Sequence, residues 1–109
     1  MKLYIDSTDP KKTLLKINDH EFSQMVDSPR EHDVFSFIKK TFEENQIKPT
    51  DITEVEVNLG PGSFTGTRVG VAIANALSFA LKIPLNGKKP PLFPIYSQEP
   101  NITLPKNKN

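Results

Sequence analysis

Four of the chain's five glycines fall in one stretch, Gly60-Pro61-Gly62-Ser63-Phe64-Thr65-Gly66-Thr67-Arg68-Val69-Gly70. Glycine permits positive φ and close backbone approach, and Pro61 fixes one φ while removing one N–H donor. Ser63 or Thr65 can cap a following helix. The free amides of that helix's first turn, reached through Gly62 and helped by Arg68, can hold an anion. The stretch has no Lys-Ser/Thr after its glycines, so it is not a P-loop, and it lacks the third glycine of the dinucleotide fingerprint. Ser63 does not lie in a Gly-x-Ser-x-Gly elbow. Two readings stay open: an anion site, or a tight turn that lets a helix pack closely.

No other constellation supports independent catalysis. His20 and His32 stand twelve apart in different elements and read as surface or cap histidines rather than metal ligands. Asp6, Asp9, Glu54 and Glu56 read as turn or solvated-face acids rather than an acid–base pair. The absence of cysteine excludes disulfides, thiolate metal sites and thiol nucleophiles.

The elements that position the glycine stretch follow from periodicity. Val55, Val57 and Leu59 alternate with Glu54, Glu56 and Asn58, predicting a strand at 53–59 with one buried face. After the stretch, Val69 to Leu81 carries no charge and predicts a buried helix. Upstream, strands are expected at 2–6, 13–17 and 21–26, forming an antiparallel meander. A helix is expected from His32 or Asp33 to about Gln46, with Val34, Phe35, Ile38 and Phe42 on one face. A short last strand is expected at 82–87. The order β-β-β-α-β-α-β is the ribonuclease H-like plan, an α/β lobe with a mixed five-stranded sheet. Right-handed crossover places the first strand centrally, beside the strand at 53–59. Glu54, Glu56 and Asn58 leave that strand's second face polar, so the helices are expected mainly on the other side.

The long helix is apolar nearly all round and must be covered nearly all round. Gly66, Gly70 and Ala74 recur every fourth residue, which would let another helix approach. Either a partner protein's helix supplies the missing cover, or the two helices satisfy each other.

A length of 109 residues suits one domain, and a formal charge of +1 gives no electrostatic footprint for nucleic acid. The sequence reads as having no signal peptide, and its longest apolar run as too short for a bilayer, so a cytoplasmic protein without membrane contact is expected. Residues 88–109 carry five of the ten prolines and read as an extended tail after a lobe at 1–87. The Pro91/Pro94 spacing also matches a proline-rich ligand.

The string from Gly60 to Gly70, its continuation to Pro84, and Ile5-Asp6-Ser7-Thr8 together resemble the bacterial TsaB (YeaZ) family of tRNA threonylcarbamoyladenosine biosynthesis. The resemblance covers roughly residues 1–87. It implies an actin-like ATPase lobe and a non-catalytic dimerization or scaffold subunit, with no cofactor, that binds a catalytic paralogue, TsaD. That complex modifies adenosine 37 of tRNA with an ATPase subunit, TsaE, assisting, so contact with tRNA is indirect. The helical interface implied comprises Phe35, Phe37, Ile38, Gly66, Gly70, Ala72, Ala76 and Phe79. Matching positions at the first turn, Asp6 and Ser7, join Gly62, Ser63, Thr65 and Arg68 as the anion-site candidates. Family members normally carry a second lobe where this chain has its proline-containing segment. The alternative expectation is a nucleotide- or phosphate-binding half-domain that works as a homodimer.

Overall fold

Alternation of Leu3 and Ile5 with Lys2, Tyr4 and Asp6 gives β1 (Lys2–Asp6) one fully buried face and one partly exposed face. The same period shapes β2 (Lys12–Ile17), which buries Thr13, Leu15 and Ile17. In the computed structural model, which describes residues 1–95, β2 pairs antiparallel with β1 and with β3 (His20–Met25), while β4 (Glu54–Val57) joins β1 in parallel. The resulting order, β3-β2-β1-β4, puts the first strand beside the fourth, as expected from the sequence.

Both helices lie on one face of this mixed sheet. Asp33 starts α1 (Val34–Glu44) by accepting the Ser36 N–H at 3.0 Å. Ser63 starts α2 (Phe64–Leu81) by accepting the Gly66 N–H at 3.3 Å, and Lys82 ends it in the left-handed conformation (φ 57°, ψ 47°). Leu3, Ile5, Leu15, Ile17, Val55 and Val57 from the sheet close a core with Val34, Ile38 and Phe42 of α1 and Val71 and Ala74 of α2. On the opposite face Lys2 lies 3.0 Å from the Glu56 carboxylate, and both side chains are nearly half exposed.

The expected fifth strand at 82–87 is not formed. Leu85 alone makes a parallel bridge to Val55, and Leu85 then bridges Lys88 as the chain reverses. Asn86 and Gly87 both take positive φ (52° and 72°), the geometry of a tight primed turn. The Asn86 carboxamide accepts from the Val57 N–H at 2.8 Å and donates to the Val57 carbonyl at 3.1 Å. One side chain therefore satisfies the β4 edge where a next strand residue would have stood.

The apolar helix is also longer than the sequence predicts. α2 begins at Phe64 rather than Val69, and at 18 residues with mean hydropathy 1.2 it is long and apolar enough to cross a membrane. Its Gly66–Gly70–Ala74–Ser78 side is instead packed on the sheet, as in the core helix of an α/β lobe. Of the proline-containing segment, Leu92 is tied to Asn75 of α2 and Ile95 to the Leu59 carbonyl, outside regular secondary structure; residues 96–109 lie outside the described residues.

Candidate functional site

The glycine stretch builds a junction between β1 and α2. Gly60 holds φ at 106°, a value costly for any residue with a Cβ, and its N–H is taken by the Asn58 side chain at 3.0 Å. The Ser63 N–H donates to the Thr8 carbonyl at 2.7 Å, tying the turn to the end of β1. Gly66 and Gly70 face Ser7. A methyl group on Gly66 would lie 2.5 Å from the Ser7 carbonyl oxygen, and one on Gly70 would overlap the Ser7 hydroxyl. That hydroxyl, fully buried, donates to the Gly66 carbonyl at 2.7 Å.

Gly66 and Gly70 are therefore not part of an exposed partner face. Their missing side chains bring α2 down onto its own sheet. Ser7 is likewise corrected as an anion ligand, because its only hydroxyl proton is spent inside the fold.

The remaining anion-site candidates have internal roles or stand apart. One Asp6 oxygen accepts from the Thr8 N–H at 3.0 Å and the Thr8 hydroxyl at 2.7 Å; the other accepts from Asn58 at 3.1 Å. Partial burial alone would raise the Asp6 pKa, but the hydrogen bonds from Thr8, Asn58 and Tyr4 together hold it below the ordinary value. A carboxylate so held is a weak base and repels an anion. Ser63 spends its side chain on the helix cap, and Gly62 is packed over Thr8. The Arg68 guanidinium lies 5.0 Å from the centre of the Phe64 ring, and Thr65 is exposed. His32 does not cap α1; its Nε2 is 2.6 Å from the Thr13 hydroxyl, linking the helix entry to β2. Among the described residues, no group of three or more His, Cys, Asp or Glu could hold a metal ion.

A different feature dominates the surface. Between α1 and α2 runs a groove of about 750 Å³ with an almost wholly apolar lining. Phe35, Ile38 and Phe42 form its α1 wall, and Ala72, Ala76 and Ala80, with Ile73, Leu77 and Leu81, form the α2 wall. Its origin is steric: the alanines are too short to reach α1, so the two helices leave a trough that large side chains would have filled. Phe35 is 60% exposed at its rim.

Of the eight residues expected at a partner face, Phe35, Ile38, Ala72 and Ala76 line this groove. Phe37 does not, being turned into the core at 9% exposure. Phe79, 79% exposed, lines a neighbouring groove at the C-terminal end of α2 instead. Sequence reasoning missed Phe42, Ala80 and Leu81 as lining residues, although Ala72-Ala76-Ala80 repeats every fourth position. It also missed Asn75, whose carboxamide donates to the Leu92 carbonyl at 2.7 Å and accepts the Leu92 N–H at 2.8 Å. That clasp seats the partly buried Leu92 against the core beside α2, so one residue of the segment covers part of the apolar surface that the sequence left without a neighbour.

A family model described as TsaD: tRNA N6-adenosine threonylcarbamoyltransferase matches residues 29–87. The chain is 37% identical over 68 residues to the tRNA threonylcarbamoyladenosine biosynthesis protein TsaB of Buchnera aphidicola subsp. Schizaphis graminum, a match covering 61% of this chain and 32% of that protein. To the protein of the same name from Bacillus subtilis it is 45% identical over 40 residues, 37% of this chain and 18% of the relative. The matched part thus spans about a third or less of these relatives' length. Among solved structures, YeaZ from Pseudomonas aeruginosa superposes with a TM-score of 0.64 at 23% identity, over 77% of this chain and 41% of that one. The four-stranded mixed sheet with two helices is a fold shared with that protein.

Proposed function

The chain belongs to the TsaD-described family as a TsaB (YeaZ)-type member over part of its length, and on that premise we propose that it is a non-catalytic scaffold subunit in tRNA threonylcarbamoyladenosine biosynthesis. In this reading it is cytoplasmic, docks a TsaD-like catalytic subunit through α1 and α2, and meets tRNA only through that partner. The observation that carries the reading is the open trough between the two helices, lined by Ala72, Ala76 and Ala80 and rimmed by exposed Phe35. An alanine stripe beside an exposed aromatic ring suits a helix laid in a groove, because small residues admit a close backbone and the ring anchors it. The junction supports the same reading: Ser7, Ser63 and Asp6 are committed to internal hydrogen bonds, which weighs against a phosphate-binding homodimer.

Co-expression with a tagged TsaD-like subunit tests it. The wild-type chain should co-purify, and Ala76→Glu should abolish recovery, since a carboxylate would be forced into the apolar trough. Equal recovery of wild type and variant would sink the assignment of this groove.

A further inference from the structure

We propose that a second groove, at the C-terminal end of α2, docks an acidic peptide segment of a protein partner through an apolar anchor and a lysine rim. This goes beyond the helix–helix reading above, because the site lies on another flank and shares only Ala80 with the trough. The groove measures about 680 Å³, room for one or two large side chains. Phe79, Ile83, Pro84 and Pro90 make its surface apolar, and Lys82, Lys88 and Lys89 are its charged lining residues, with no acidic residue among them.

The sign of the local field is decided by what happens at the helix end. A bare C-terminus would present carbonyl oxygens and draw cations. Here the Ser78 carbonyl accepts the Ile83 N–H at 3.0 Å, the Phe79 carbonyl accepts the Lys82 N–H at 3.3 Å, and the Ser78 hydroxyl donates to the Ile83 carbonyl. The Ser78 and Phe79 carbonyls are thus capped, and the three ammonium groups are the formal charges lining this end of the helix. Among the described residues none of the three is ion-paired, so all three are open to a ligand's negative charge.

The wall that carries two of the lysines is preformed. Leu85 and Lys88 exchange both backbone hydrogen bonds (2.8 and 2.9 Å), and Asn75 clasps Leu92 just beyond. A wall already ordered loses little freedom when a ligand arrives. An apolar floor with one exposed aromatic ring, in a chain of net charge +1, suits an acidic peptide with a hydrophobic anchor better than RNA, which needs a track of stacking platforms and phosphate contacts.

The test is fluorescence anisotropy of the full chain with a fluorescein-labelled, glutamate-rich peptide bearing one central phenylalanine. Saturable binding is expected, weakened about tenfold by the combined Lys88→Glu and Lys89→Glu changes and weakened further as salt is raised. Asn75→Ala, which frees the wall, should also weaken it while circular dichroism stays unchanged. The same peptide with serine for phenylalanine should bind poorly. Absence of saturable binding, indifference to the lysine reversals, or displacement of the peptide by an equally charged oligouridylate would overturn the proposal. The lysine reversals should leave co-purification with a TsaD-like subunit intact, so the two readings fail separately.

Discussion

Ser7 and Gly70 show how closely α2 is set upon β1. Gly70→Ala would press a methyl group into the Ser7 side chain, whose hydroxyl is already held by the Gly66 carbonyl. Overpacking of this kind costs about 1–3 kcal/mol, to be read from the urea midpoint, and Ser7→Ala in the same chain should recover part of it. Asp6 gives a second expectation at this scale. Its folded pKa lies below the ordinary 3.8, so its hydrogen bonds stabilise the fold above that value and the contribution is lost as pH falls through the folded pKa. Asp6→Asn should flatten the fall in stability between pH 5 and pH 2, a range of about three units set by ordinary carboxylate titration. An unchanged pH profile would show that Asp6 makes no such contribution. The glycine cluster was legible as a tight junction, but which side of α2 it faced was not. Spacing every fourth residue marks a smooth stripe, and only the position of Ser7 shows that the stripe is filled from within.

Elements were legible where a period ran long enough. The Leu3/Ile5 and Val55/Val57 alternations each placed a strand and its buried face, while the Val34–Phe42 stripe placed α1 but put Phe35 on the buried side, where the structure has Phe37 and Thr41. The last strand was misread because a local signal competed with the topology: Asn86-Gly87 is a turn pair, and it ends the strand after one bridge. Asn86→Ala removes both bonds to Val57 and leaves a half-buried strand edge unpaired. A loss of about 1–3 kcal/mol in thermal or urea unfolding is expected, with faster amide exchange at Val57. Normal exchange at Val57 in the variant would show that water or a neighbouring strand takes over the edge.

At the scale of the molecule, a single sheet carries both helices on one side and leaves its polar face in water. α2 is then covered by the sheet, by α1 and, at Asn75, by Leu92, and the trough between α1 and α2 remains. The need for cover was legible in the sequence because the helix is apolar around most of its circumference. The segment that meets part of that need was not, since a two-point clasp between Asn75 and the Leu92 backbone leaves no trace in hydropathy. That trough is the docking face we propose for a TsaD-like subunit. Isothermal calorimetry of that subunit against the wild-type chain and Ala76→Glu tests this most directly. A loss of about 100-fold or more in affinity with an unchanged melting temperature is predicted, corresponding to roughly 3 kcal/mol of interface energy. Equal affinity of the two chains, with both folded, would contradict it.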